Sequence, residues 1–154
     1  MEQGLTYEEY LDRYPRLVRT NTGVSMLPLL RQGRDLFIVE KRGTSPLQAG
    51  DVVLYRRPPD RYVLHRVVEV REKDYVILGD NCVSREYGIA DGDILGVMTG
   101  FVRNGKQHAV TDRGYRIYTF LWLHTAGLRI LCKRAVWAVK SGIKRILGIK
   151  GTKA

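Results

Sequence analysis

Acidic residues almost vanish from the last third of this 154-residue chain: between Arg103 and Ala154 only Asp112 carries a carboxylate side chain, against 12 lysines and arginines. Residues 1–102 hold 14 basic and 15 acidic residues, so the formal charge of +10 belongs to the tail and not to the whole surface. Cysteine is scarce as well. Cys82 and Cys132 form no CxxC pair and no Cys/His cluster with metal-ligand spacing, which excludes a disulfide framework and fits a reducing, cytoplasmic setting. Long apolar runs are missing too. The longest, around Ile117 to Leu123, falls far short of the roughly 20 residues that span a bilayer. The opening residues, Met1 to Tyr10, are acidic where a secretory signal needs a basic and then an apolar region, so export by that route is not expected.

What is present is enough for one domain with a real core: 154 residues, 44% of them hydrophobic. Thr6-Tyr7-Glu8-Glu9 reads as a capping box, with a short helix running to about Asp12 or Tyr14 before Pro15. From Arg34 to Val102 short β-rich runs alternate with turn residues: Leu36 to Glu40, Asp51 to Arg56, Tyr62 to Glu72, Tyr75 to Leu78 and Ile94 to Val102. Hairpins between neighbours are the economical topology. After Thr111 apolar residues recur at three- and four-residue steps (Ile117, Leu121, Leu128, Leu131, Ala135, Val139, Ile143, Ile146), the mark of an amphipathic helix that Gly127 or Gly142 is placed to bend. The expected organisation is a lead-in over 1–21, a mainly antiparallel β domain over 22–110 and a basic helical tail over 111–154.

Ser25 and His65 carry the functional signal. A serine hydroxyl needs a base to become a nucleophile at neutral pH, and imidazole suits the task. Strand alternation places Val63, His65 and Val67 on one face, so His65 stands among apolar neighbours that favour the neutral ring a general base requires. A carboxylate on the other ring nitrogen would fix the tautomer, and two candidates follow, Asp80 in Gly79-Asp80-Asn81 and Glu86. Each feature also has an ordinary reading, since serine is a common turn residue and Gly-Asp-Asn is a turn signal. Cys82 is a further nucleophile candidate beside His65, though it reads first as a small packing residue.

Four ordered stretches, Gly23-Val24-Ser25-Met26-Leu27-Pro28-Leu29-Leu30, Gly50-Asp51-Val52-Val53-Leu54-Tyr55, Leu64-His65-Arg66-Val67-Val68-Glu69-Val70 and Gly79-Asp80-Asn81, resemble the signal peptidase I superfamily of serine peptidases. The likeness is to the endoplasmic-reticulum and archaeal branch, in which histidine replaces the general-base lysine, and covers residues 22 to about 102. It implies a coiled, mostly antiparallel β fold, Ser25 as nucleophile and His65 as base. Glu86 falls where that branch carries its catalytic aspartate, and Asp80 falls on the Asp of the Gly-Asp-Asn box. Gly23 stands where the family often has a serine, so backbone N–H groups and Thr22 would support the oxyanion. Met26 and Leu27 are candidates for the substrate groove. The membrane-spanning helix that precedes the serine in family signal peptidases has no counterpart in the polar residues 1–21.

These readings lead to a serine endopeptidase that cleaves a leader, signal or propeptide, with no metal or organic cofactor implied. The rivals are an inactive peptide-binding module on the same scaffold and an adaptor working through the tail. That tail, with Trp122 and Trp137 and lysines and arginines off its apolar stripe, matches either an in-plane binder of the anionic cytoplasmic leaflet or a helix packed on the β domain or on a second copy. It carries no recognisable nucleic-acid motif, so no specific nucleic acid is expected. The oligomeric state is left open.

Overall fold

Eight strands join in one antiparallel sheet whose order explains how residues far apart in sequence share a site. The computed structural model describes residues 5–59 and 61–146. The strands are β1 (Arg16–Thr20), β2 (Leu36–Lys41), β3 (Val52–Arg57), β4 (Arg61–Val70), β5 (Tyr75–Leu78), β6 (Glu86–Ile89), β7 (Ile94–Arg103) and β8 (Lys106–Ala109). They lie in the order β1-β2-β7-β3-β4-β5-β6, with β8 paired to β7. The mainly β class and all five expected strand runs are present, within one or two residues at most ends. Register shifts at Ile38/Val39, Leu54/Tyr55 and Val67/Glu69 interrupt the ladders, the kind of irregularity that bends a sheet.

Central β3 is buried on both faces. Val52 and Leu54 point into one cluster with Met26, Leu30, Phe37, Leu64 and Met98, while Val53 and Tyr55 join Val67, Ile77, Ile89 and Ile94 on the other side. That double burial accounts for the unbroken apolar run Val52-Val53-Leu54-Tyr55 where a half-exposed strand would alternate. The lead-in belongs to the same body. Helix α1 (Tyr7–Arg13) starts at the capping box formed by Thr6 and Glu9 and buries Leu11 in the first cluster, and β1 pairs with β2 from Arg16↔Glu40 to Thr20↔Leu36.

Two helices close the described chain, α2 (Arg113–His124) and α3 (Ala126–Ile146). They divide at Thr125 rather than at Gly127: the Thr125 N–H and hydroxyl both donate to the Leu121 carbonyl, satisfying the end of α2. The described part of the apolar stripe does not pack on the β domain; the side chains of Ile143 and Ile146 lie outside the described residues. Ile117, Leu121, Leu128, Leu131 and Val139 are exposed, whereas Tyr115 and Tyr118 pack against the core and Trp122 reaches the Asp80 carbonyl. Aromatic rings with polar tips suit this contact, because the surface they cover holds a buried ion pair. No described helix is long and apolar enough to cross a membrane.

Candidate active site

A cavity of about 880 Å³ opens beside the N-terminal half of β4, and its walls bring together Thr22, Gly23, Ser25, His65 and Cys82 with Arg19, Arg57 and Arg61. His65 is buried at 4% exposure and Ser25 is half-buried. The two line one cavity because the serine segment is pinned by the turn that follows β5. Asn81 N–H donates to the Ser25 carbonyl at 2.7 Å, and Asn81 Nδ2 donates to the Val24 carbonyl at 3.0 Å. Gly23 enters the segment with φ +84°, a left-handed conformation that side-chain-bearing residues rarely adopt.

Glu86, not Asp80, serves His65. Register carries it there: Val67, two residues beyond His65 on the same face, pairs with Ile77, and Ile77 pairs with Glu86. Glu86 Oε1 lies 3.0 Å from His65 Nδ1. Arg57 holds the same carboxylate with two N–H donors, from Nε at 2.7 Å and from a terminal nitrogen at 2.5 Å. Tyr55 hydroxyl stands 3.4 Å from His65 Nδ1 and accepts from Arg57 at 3.3 Å. Burial disfavours the Glu86 anion, but bonds to His65, Arg57 and Tyr55 more than offset it and hold the carboxyl at about 2. Its partnership with Nδ1 places the proton on that nitrogen and leaves the Nε2 lone pair for chemistry.

Asp80 occupies the other side of the sheet. Alternation sends Arg66 away from His65, and Asp80 grips its guanidinium with two bonds of 2.8 Å, both side chains about 1% exposed. Tyr118 hydroxyl donates to Asp80 at 2.8 Å, and Arg66 also reaches the Gly50 carbonyl and the hydroxyls of Tyr115 and Thr119. Asp80 is thus a buried scaffold residue, and its assignment to His65 is corrected. Met26 needs a second correction: at 1% exposure it is core, not groove, because its side chain joins the cluster under β3 and β7. Leu27 is half-buried and does not line the cavity.

Cys82 stands closer to the chemistry than its sequence context signals. Its Sγ and His65 Nε2 both converge on Gly79, and the His65 ring bonds to Glu86 and Tyr55 but not to Ser25 Oγ. A Cβ at Gly79 would start 2.7 Å from Cys82 Sγ, 2.8 Å from His65 Nε2 and 2.9 Å from the Ser25 carbonyl oxygen, so only glycine lets all three converge. Burial pushes the His65 ring toward neutrality, but bonds to Cys82 and Glu86 outweigh it and raise its pKa above 6.5.

Residues that sequence reasoning passed over frame the turn from outside. Arg129 donates to the Asp80 carbonyl at 3.0 Å, Trp122 Nε1 donates to it at 3.1 Å, and Lys133 donates to the Asn81 backbone carbonyl at 2.6 Å and also to Asn81 Oδ1. A basic tail gave no sign of which cations point inward. Arg57 had a fainter signal, standing two residues from Tyr55 and so on the same strand face. Among the described residues no group of three or more His, Cys, Asp or Glu side chains is placed to hold a metal ion. Comparison with protein-family models, with curated proteins and with solved structures found no match.

Proposed function

We propose that this chain is a serine endopeptidase of signal-peptidase type, cleaving a leader or propeptide in the cytoplasm. The observation that carries this reading is His65, bound to Glu86 at 3.0 Å through Nδ1 while its ring lines the same cavity as Ser25. Ser25 Oγ attacks the scissile carbonyl as its proton passes to His65 Nε2. The tetrahedral adduct then collapses, the C–N bond breaks and His65 returns the proton to the leaving amine. Water attacks the acyl-serine by the same route in reverse. Glu86 keeps the imidazole oriented and stabilises its charged form, and backbone N–H groups near Gly23, with Thr22 beside them, support the oxyanion. Arg19 and Arg61 on the cavity wall favour a substrate with acidic side chains near the cleavage site.

The assay is incubation of the full chain with a fluorophosphonate probe and a leader-peptide library. Labelling and cleavage that are both lost in Ser25→Ala and in His65→Ala support the mechanism; activity unchanged in either variant overturns it. A second reading rests on Cys82 Sγ and His65 Nε2 meeting over Gly79 in the same cavity: the thiol as nucleophile with the same base. Cleavage that survives Ser25→Ala and disappears in Cys82→Ala would select it. Peptide binding without cleavage, equal in wild type and Ser25→Ala, would instead select the non-catalytic binding module.

A further inference from the structure

We propose that the outer faces of α2 and α3 form a docking surface for an anionic phospholipid bilayer, with both helices lying in its interfacial plane. On α2 the residues turned away from the domain are Ile117, Phe120 and Leu121, and on α3 the apolar face continues through Leu128, Leu131 and Val139. All six are at least half exposed, which is unusual for so many large apolar side chains in one continuous region of a water-exposed surface. The β domain does not cover them, because it holds the opposite sides of α2 and of the start of α3 through Tyr115, Tyr118, Trp122, Arg129 and Lys133, and residues 134–139 are exposed.

Charge selects the occupant. Exposed Arg113, Arg116 and Arg134 flank the apolar face, and no acidic side chain follows Asp112 in the sequence. A second copy would bring two such basic surfaces together without countercharge, and a nucleic acid would leave the apolar centre in contact with phosphates. An anionic membrane satisfies both parts, the cations meeting headgroups and the apolar side chains entering the acyl boundary. A hollow of about 570 Å³ repeats this division locally, with Arg113 and Arg116 beside Ile117, Phe120 and Leu121. Neither helix is long and apolar enough to span, so the mode is in-plane. The proposal stands independently of whether Ser25 cleaves a peptide.

Flotation of the full chain with phosphatidylcholine vesicles, and with vesicles that also contain phosphatidylglycerol, tests it. Co-flotation with the anionic vesicles only, weakened by salt, is the expected result. The double variant Arg113→Gln/Arg116→Gln should lower affinity by roughly 30-fold, at about 1 kcal/mol for each cation near the surface. Leu128→Glu/Leu131→Glu should abolish binding while thermal melting stays unchanged, as substitutions at exposed positions allow. Failure to float with anionic vesicles, equal flotation with both kinds, or full binding by the leucine variant would overturn it. Self-association that the leucine variant abolishes, without vesicle binding, would assign the face to a second copy and overturn it equally.

Discussion

His65 and Arg66 are neighbours on β4 that serve opposite sides of the sheet: His65 meets Glu86 at 3.0 Å beside the Ser25 cavity, and Arg66 is sealed with Asp80 beneath α2. One strand therefore divides the work, its odd and even positions supplying the proposed base to one face and an internal tether to the other. The two carboxylates that sequence could not rank are separated by this parity.

Glu86→Gln tests the orienting role. The proposed base acts as neutral imidazole, so hydrolysis by wild type should rise with pH through a midpoint above 6.5, the direction in which His65 is displaced. Removing the carboxylate should lower that midpoint and reduce the plateau rate by roughly 10²–10⁴-fold. A pH–rate profile with an unmoved midpoint would count against the pairing.

The same groups shape stability against pH. Glu86 is held at about 2 against an ordinary 4.5, so its contribution is complete above 4.5 and is lost as pH falls from there toward 2. His65 has the opposite sign: its raised pKa contributes to folding below 6.5, and that contribution disappears as pH rises through the folded-state value. Urea titrations across pH should show Glu86→Gln removing the acid-side loss while leaving the other limb in place only in part, since Glu86 is one of the two bonds raising His65.

Asp80→Ala should unfold the protein more readily without touching the base directly. It strands a guanidinium at 1% exposure, a loss of about 3–5 kcal/mol for breaking a buried pair. The urea midpoint should drop accordingly. The pH midpoint of any remaining activity should stay where it is, which a His65 partner could not satisfy.

Gly79→Ala separates geometry from folding. The new methyl would sit 2.9 Å from the Ser25 carbonyl, a backbone atom, so the serine segment must shift. Overpacking of this kind costs about 1–3 kcal/mol, while displacement of the proposed nucleophile by about 1 Å should cost about 100-fold in rate. Cleavage near the wild-type rate would show that the segment tolerates the shift.

Cys82→Ala should preserve hydrolysis and lower the pH midpoint, because it removes a neighbour that helps to raise His65. Iodoacetamide should inactivate wild type by filling the cavity beside Nε2 and leave the variant untouched. Mass spectrometry of the alkylated peptide, set against residual rate, distinguishes the two.

The periodicity of Val63, His65 and Val67 was enough to place the histidine in a partly dry face, and the Thr6–Glu9 spacing was enough to place α1. Strands β1, β6 and β8 escaped because Arg16–Thr20, Glu86–Ile89 and Lys106–Ala109 are short, and only partly apolar; the ladder of a neighbouring strand makes them. Choosing Glu86 over Asp80 required the register of three strands, which no local pattern contains. The stripe on α2 and α3 was legible as a stripe, but its direction was set by Asp80 and Asn81, whose backbone carbonyls accept from Arg129, Lys133 and Trp122 on the inner side.

The placement of α2 over the Arg66–Asp80 pair has a bearing on biosynthesis. Ser25, His65 and Glu86 leave the ribosome before Tyr115, Tyr118, Trp122 and Arg129 exist. Until those residues emerge, Asp80 and Arg66 remain open to water, and the turn bearing Asn81 lacks the clasp that holds it against the serine segment. The last helices made are thus the ones that complete the first residues' setting, and a nascent chain carries Ser25 in an unfinished frame.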